Sequence, residues 1–311
     1  MAALDVQLFG TFSVRRDDRE LAHFGGAKMQ ELFSYLLLHT DRRHHRESLA
    51  ATLWADTPTA QARKNLRQTL WQLQTTLAET VAPDRPAVVA VESDWVFVDT
   101  QADLTTDVEL FERAASSVQG VPGRDLDAAA AARLRDAVGL YRGDLLADWY
   151  QDWCIYRREW LQQRFLAMID KLMAYCEVHA EYESAIDFGE RVLLYDRARE
   201  TTHYKLMRLR ALAGDRTGSL RQFERCVAAL HAELAVRPAR ATVALHEQIR
   251  DDRPLTGTST AHDVDQSVPE TPPPHADVSR YLQQLGLFLL DLQRQVQHDL
   301  QASHLGSHHR N

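Results

Sequence analysis

Apolar and polar residues alternate at the start of the chain. Residues 4–14 show this alternation on both sides of Gly10. A period of two is typical of a strand with one buried face, and a glycine between two such runs permits a turn or a bulge. The pattern predicts two short strands, or one bulged strand, in this segment.

The spacing of apolar residues then changes to that of helices. In residues 28–39 and 46–54 apolar side chains recur every three or four positions, as on one face of a helix. A third helix is predicted over residues 60–79. Its apolar stripe consists of Ala62, Leu66, Leu70, Leu73 and Leu77. Three amphipathic helices therefore follow the predicted strands.

A β-hairpin is predicted after the third helix. Residues 87–91 and 95–98 are rich in β-branched and aromatic side chains, and the polar residues 92–94 between them suit a turn. Strands, three helices and a hairpin, in this order and within about a hundred residues, are the elements of a winged helix-turn-helix.

The next part of the chain has only helical patterns. No strand pattern is present after Asp103, and helices are predicted almost continuously to about Ile249. One begins near Val108 and ends in the loop at residues 119–123, and the next covers residues 126–141. We expect this part to be entirely helical.

Some of these helices repeat with a period of 34 residues. The dipeptide Glu-Arg at residues 190–191 returns at residues 224–225, and several apolar pairs keep the same spacing. This is the length of a tetratricopeptide (TPR) unit, which is a pair of helices joined by a turn. The alignment places Ala180 and Gly214 in equivalent turns.

The end of the chain divides into a polar linker and an apolar seam. Residues 253–277 contain several prolines and few aliphatic side chains, which predicts a disordered linker. Beyond it, apolar residues recur in steps of three and four, at Leu282, Leu285, Leu289, Leu292 and Val296. This seam is either a dimerisation helix or a segment that folds back on the helical part.

The predicted fold is mainly α, with an N-terminal winged helix-turn-helix that has small β elements and then an all-α, TPR-like helical repeat domain. The expected boundaries are residues 1–100 for the winged helix, 101–252 for the TPR-like domain, 253–277 for the linker, 278–300 for the amphipathic helix and 301–311 for a disordered tail.

Composition narrows the protein class. A hydrophobic share of 45% and a charged share of 26% are ordinary for a soluble globular protein. No run approaches the roughly 20 apolar residues of a membrane span, and the first residues lack a signal peptide, so we expect a cytoplasmic location and no membrane partner. Cys154, Cys176 and Cys226 are widely spaced, which favours reduced, buried thiols over a zinc or disulfide role.

The net charge of −8 is unlike that of a nucleic-acid binder, but one helix is locally basic. Residues 59–78 contain arginine and lysine and no acid, and arginine and lysine bind phosphate or guanine while asparagine and glutamine can bind adenine. A tryptophan there can pack on a sugar or a thymine methyl group. The candidate DNA-contacting residues are Arg63, Lys64, Asn65, Arg67, Gln68, Trp71 and Gln72. Asn65 lies nearest the apolar stripe. A solvated helix face is the alternative use of the basic residues.

The sequence resembles the SARP-type family of bacterial regulators, in which an OmpR/PhoB-type winged helix precedes a bacterial transcriptional activator domain of TPR-like helices. The resemblance covers about residues 4–250. The matching stretches are residues 8–14, 26–39, 46–54, 62–73, 137–146, 221–226 and 233–238, with Trp149 and Trp153. The resemblance implies an activator that binds direct repeats in promoters as a homodimer and contacts RNA polymerase.

Two features depart from the family pattern. Many relatives carry arginines near the end of the third helix, where this chain has Trp71, Gln72 and Gln74, and the hairpin turn at residues 92–95 is acidic. Fewer cations on the DNA-facing surface predict a shallow salt dependence of DNA binding, or a need for dimerisation.

Other functions have less support in the sequence. The chain has no phosphate-binding loop, no nucleophile elbow and no zinc-protease motif, so we expect neither an enzyme nor a cofactor. Two alternatives remain open, a TPR-type signalling adaptor and a regulator whose helical domain binds a small-molecule ligand. The aromatic residues Trp149, Tyr150 and Trp153 are expected in the core of the helical domain rather than in a ligand pocket. His44 and His45 are expected in an exposed loop rather than in a metal site.

Overall fold

The computed structural model of the protein describes residues 4–17, 19–21, 24–80, 86–99 and 101–255. These residues lie within one compact unit. Most of the predicted linker, together with the whole apolar seam and the tail, lies outside the described residues. The predictions for Leu282, Leu285, Leu289, Leu292 and Val296 therefore remain predictions.

The N-terminal part contains strands and helices in the predicted order. In chain order they are β1 (Leu4–Gln7), β2 (Ser13–Arg16), β3 (Arg19–Glu20), α1 (Ala27–Leu38), β4 (His44–His45), α2 (Arg46–Leu53), α3 (Thr59–Thr80), β5 (Val89–Glu92), β6 (Trp95–Val98) and β7 (Leu104–Thr106). One sheet has the strand order β3-β2-β1-β7 and the other has the order β4-β6-β5. Helices α1, α2 and α3 lie between β3 and β5 in sequence, with the short β4 between α1 and α2, as in a winged helix-turn-helix.

The turn between β1 and β2 depends on Gly10. Its φ of +79° lies in the left-handed region, which an L side chain enters only at a cost. After this turn β2 runs antiparallel to β1, with Val6 opposite Val14. Both valines are buried, so the alternating pattern of the sequence corresponds to one buried sheet face.

The prediction of an entirely helical chain after Asp103 is wrong. Residues 104–106 form β7, which pairs in parallel with β1 and places Leu104 beside Leu4. A strand of three residues is too short to show a period of two, and its partner is about a hundred residues away in sequence. The pairing also means that the first sheet includes residues on both sides of the predicted boundary at residue 100.

The prediction of an exposed loop at His44 and His45 is also wrong. These residues form β4, in which His44 lies opposite Val96 and His45 opposite Trp95. His44 is buried, and its Nε2 lies 3.0 Å from the carbonyl oxygen of His39. Two residues carry no recognisable strand pattern, so the third strand of this sheet could not be predicted.

The helical part follows directly after β7. Its helices are α4 (Asp107–Ser117), a short 3₁₀ turn (Gly123–Asp125), α5 (Ala128–Leu140), α6 (Asp152–Val178), α7 (Tyr182–Tyr195), α8 (Glu200–Leu212), α9 (Arg216–Leu234) and α10 (Arg240–Arg250). Helices α6–α7 and α8–α9 are the two copies of the predicted repeat. Ala180 and Gly214 both have positive φ, +56° and +83°, in the equivalent turns.

The two parts of the chain share a core around Phe9. Its ring centroid lies 5.2 Å from that of Phe111 and 4.7 Å from that of Tyr141, both in the helical part. The carboxylate of Asp107, in the first turn of α4, accepts hydrogen bonds from the backbone N–H groups of Leu8 and Phe9 at 2.8 and 3.0 Å. Burial raises the pKa of Asp107 to about 6, although these N–H donors act in the opposite direction.

The aromatic residues before and within α6 pack partly against the winged helix, rather than only inside the helical part. The ring centroid of Trp149 lies 6.2 Å from that of Phe12, and the centroid of Trp153 lies 5.3 Å from that of Tyr35 on α1. Tyr150 is 87% exposed, so the prediction of a core position is wrong for that residue. Packing two half-buried indoles between the parts stabilises their relative arrangement.

Candidate nucleic-acid interface

Helix α3 buries one face in the core, and this burial determines which face is exposed to solvent. The predicted stripe of Ala62, Leu66, Leu70, Leu73 and Leu77 is buried. It packs against α1 and α2 in the same core as Leu32 and Leu49. Near the other end of the helix, the side-chain amide of Gln74 donates a 3.2 Å hydrogen bond to the carbonyl oxygen of Val89 in β5. The helix is therefore held along its length.

The opposite side of α3 is exposed and carries most of the candidate DNA-contacting residues. Exposed side chains are Arg63, Lys64, Arg67, Gln68, Trp71 and Gln72. Trp71 is 66% exposed, which is a large apolar area to leave in water near the middle of a polar helix face. Asn65 is half-buried, and its side-chain oxygen accepts a 2.8 Å hydrogen bond from Gln61. Asn65 therefore lies at the edge of this face.

Arg63 is joined to helix α2. Its guanidinium donates to the carboxylate of Glu47, which lies in the first turn of α2. The backbone N–H of Glu47 donates to Nδ1 of His45 at 3.3 Å, which caps the helix. In the described part of the chain, Lys64 and Arg67 have no ion-pair partner, so their charges face solvent.

The hairpin continues the surface beyond α2. The backbone N–H of Arg46 donates to the carbonyl oxygen of Asp94 at 2.9 Å, and the ring centroids of His45 and Trp95 lie 5.4 Å apart. Arg43 lies over the ring of Phe97 at 4.3 Å and forms a 2.6 Å ion pair with Glu92. The start of α2 and the hairpin turn thus form one continuous surface.

Sequence reasoning missed the residues that join these elements. Glu47 and Arg43 lie outside the predicted basic helix, and no local pattern connects either of them to its ion-pair partner. The pairs Arg63–Glu47 and Arg43–Glu92 span 16 and 49 residues of sequence. Only the fold brings them together.

The described residues were also compared with the requirements of a metal site, a membrane span and a reactive thiol. They contain no group of three or more histidine, cysteine or acidic side chains that could hold a metal ion. None of the helices within the described ranges is long and apolar enough to cross a bilayer. Cys154, Cys176 and Cys226 are buried as free thiols, and burial raises the pKa of each.

Comparison with known proteins identifies the helical part. Residues 106–250 match the family model of the bacterial transcriptional activator domain. No curated protein sequence matches the chain. Among solved structures, Mycobacterium tuberculosis EmbR in complex with a low-affinity phosphopeptide has a similar fold, with a TM-score of 0.60 and 20% sequence identity over 82% of this chain and 67% of that one. The helical part therefore has the signature of a bacterial transcriptional activator domain, and the chain as a whole has a fold similar to that of EmbR.

Proposed function

We propose that the protein is a transcriptional regulator of the SARP type that binds specific DNA sequences by placing α3 in the major groove. The observation that carries the proposal is the exposed face of α3, which combines Arg63, Lys64 and Arg67 with the amides of Gln68 and Gln72. Cations bind phosphates, and amide or guanidinium groups discriminate bases by paired hydrogen bonds. Trp71 adds an apolar surface for a sugar or a thymine methyl group.

The rest of the winged helix supports this orientation. In this motif the recognition helix enters the groove while neighbouring elements contact the backbone. Here the start of α2 adjoins the N-terminal half of α3 through Glu47, and the turn of the β5–β6 hairpin adjoins the start of α2 through the contact between His45 and Trp95. A duplex lying along α3 would therefore also pass these elements.

The family resemblance extends the proposal. SARP-type regulators are expected to activate transcription as dimers on direct repeats and to contact RNA polymerase. For this chain we propose the same assembly, in which each copy contributes one α3 to one repeat. The exposed positions of Arg67 and Gln68 leave α3 accessible in a single copy, so the proposal places dimer contacts elsewhere on the chain.

The test is a genomic selection followed by titration. Purified protein is used to enrich genomic DNA fragments, and the best fragment is then titrated with the wild type and with Arg67→Ala at two salt concentrations. We expect enrichment of spaced direct repeats and a large loss of affinity in Arg67→Ala. Arg221→Ala, which removes an exposed arginine from α9, is the matched control and should bind like the wild type.

Two results would count against the proposal. One is no enrichment at low salt by protein that is folded according to circular dichroism. The other is equal affinity of the wild type and Arg67→Ala for the selected fragment. The first would direct attention to a ligand or protein partner of the helical part, and the second to a different DNA-facing surface.

A further inference from the structure

Glu47 is the acid placed directly against the basic face of α3. Its carboxylate binds the guanidinium of Arg63, and the two side chains retain 59% and 55% exposure. No other hydrogen bond or ion pair holds this carboxylate among the described residues. An ion pair this exposed adds little to the stability of the fold. Its main consequence therefore concerns the availability of Arg63.

Arg63 lies near the beginning of α3, one turn after Thr59. The N-terminal residues of a recognition helix are the ones that reach base edges and nearby phosphates. In the free protein one of the three cations on this face is already neutralised by Glu47, whereas Lys64 and Arg67 remain available. Binding DNA through Arg63 requires this ion pair to break.

When the pair breaks, Glu47 is left as an unpaired carboxylate beside the DNA. Among the residues that the structure describes, no second cation binds this carboxylate, and phosphates would repel it. Two costs therefore oppose binding at this point, the loss of the ion pair and the repulsion of the exposed carboxylate. A carboxylate that only oriented Arg63 toward a base would instead favour binding.

We infer that Glu47 restrains DNA binding by holding Arg63 away from the phosphates, so that DNA has to displace it. The inference rests on the proposed function, because it concerns the same face of α3. It also predicts that non-specific binding is weakened, because only a site that offers Arg63 a better partner than Glu47 recovers the free-energy cost of breaking the pair. Glu47 is thus a positioning residue that favours specific over non-specific DNA.

The test compares three variants with the wild type on duplex DNA. Glu47→Gln removes the charge, and Glu47→Asp keeps the charge but withdraws the carboxylate by one methylene group, which weakens its pair with Arg63. The third is Glu47→Gln combined with Arg63→Ala, measured against Arg63→Ala alone. The probes are the fragment selected by the wild type and a scrambled duplex of equal length. The matched controls are Glu109→Gln and Glu109→Asp, in the exposed Glu109–Arg113 pair on α4.

We expect Glu47→Gln to raise affinity for the scrambled duplex about two- to five-fold, the range of an exposed ion pair, and Glu47→Asp, which keeps the repelling charge, to raise it less. The gain for the selected fragment should be smaller, and both Glu109 variants should bind like the wild type. In the Arg63→Ala background the effect of Glu47→Gln should fall, because only the repulsion of its charge remains to be relieved.

Three outcomes would overturn the inference. Lower affinity of Glu47→Gln would mean that Glu47 orients Arg63 for binding. If Glu47→Gln raises DNA affinity equally with and without Arg63, and Glu47→Asp does not raise it, then Glu47 acts only by repelling the phosphates. No change in any variant would mean that the pair does not compete with DNA. If neither the wild type nor any variant binds either duplex, the proposed function itself fails. Circular dichroism checks folding, and Glu47→Asp keeps an acid in the first turn of α2 should Glu47→Gln be unstable.

Discussion

The indole N–H of Trp153 on α6 donates a 3.2 Å hydrogen bond to the carboxylate of Glu31 on α1, across the junction between the winged helix and the helical part. Glu31 is buried, and its other oxygen pairs with Lys28 at 2.7 Å. A buried carboxylate needs such partners, because removing its charge from water is costly. The helical part therefore supplies a hydrogen bond that the core of the winged helix needs.

Replacing Trp153 by Phe should destabilise the folded protein by about 1–3 kcal/mol, because a hydrogen bond to a buried charge is lost. The measurement is the free energy of unfolding by urea. Trp71→Phe is the matched control. Its indole is mostly exposed, and its effect should stay within about 0.5 kcal/mol. Equal effects of the two substitutions would show that the bond to Glu31 contributes nothing.

In the two repeat turns, an alanine-to-glycine and a glycine-to-alanine substitution should change the free energy of unfolding in opposite directions. Ala180 adopts a φ of +56° that glycine adopts without strain, and Gly214 has a φ of +83° in the equivalent turn. We expect Ala180→Gly to raise the free energy of unfolding by about 0.5–1 kcal/mol, since relief of strain exceeds the entropy cost of glycine. Gly214→Ala should lower it by a similar amount. A Cβ on Gly214 would meet no heavy atom within 4 Å, so only backbone strain is tested.

Ala213→Gly is the control for these turns. Ala213 has a φ of −76°, which any residue adopts, so a glycine there relieves no strain. This variant should be no more stable than the wild type. A stability gain as large as that of Ala180→Gly would mean that the gain does not come from the left-handed conformation.

His203 predicts a loss of stability in mild acid. It is buried between α8 and α9, and this burial lowers its pKa below the ordinary value of 6.5. Nε2 lies 2.9 Å from the carbonyl oxygen of Arg197, so this nitrogen carries the proton, and Nδ1 lies 2.8 Å from the amide nitrogen of Gln222. The oxygen of Gln222 accepts from Arg225, which prevents the amide from turning to receive a second proton from the ring. The neutral ring is therefore favoured in the folded state.

Because the folded pKa is depressed, the unfolded chain takes up a proton first as the pH falls. The contribution of His203 to stability is thus present above about pH 6.5 and is lost below it, by at most about 1.4 kcal/mol per pH unit. Asp107, whose pKa is raised to about 6, acts in the opposite direction between about pH 6 and pH 4. Urea unfolding at several pH values should show a flatter acid side for His203→Gln than for the wild type. Identical pH profiles of the wild type and His203→Gln would contradict the conclusion that the folded state favours a neutral His203.

On α3, cations and amides should affect DNA binding differently. Lys64→Ala should reduce the slope of log affinity against log salt by about 0.9, for all sequences alike, if Lys64 contacts one phosphate. Gln68→Ala should leave that slope unchanged and relax the preference at one base pair by about 1–3 kcal/mol. Binding titrations with single-base variants of the selected site separate the two. Weaker binding to all sequences alike, with unaltered base preference, in Gln68→Ala would place that residue on the backbone.

The helices were predictable because their signal is local and long. The stripe from Ala62 to Leu77 shows which side of α3 is buried, and the exposed side follows from it. The repeat also shows that two helix pairs share one geometry. Where three or more turns of a helix repeat the same spacing, the sequence alone predicts the element.

The missed features depend on contacts between distant segments. Strand β7 has three residues and β4 has two, so neither shows a period, and each exists because a partner strand lies beside it. The pairing of Glu47 with Arg63 likewise follows from how α2 crosses α3. Burial of Trp149 and Trp153 was expected, but the sequence could not show that their neighbours belong to the winged helix.

The parallel pairing of Leu4 with Leu104 has a consequence for synthesis on the ribosome. Strand β1 leaves the exit tunnel about a hundred residues before its partner strand β7. It also leaves before Asp107, whose carboxylate accepts hydrogen bonds from the backbone N–H groups directly after β1. The first sheet therefore completes only once translation has entered the helical part, and until then its edge is open. A chimera that exchanges the winged helix of this chain should be joined after α4 rather than near residue 100, so that β1, β7 and Asp107 stay in the same segment.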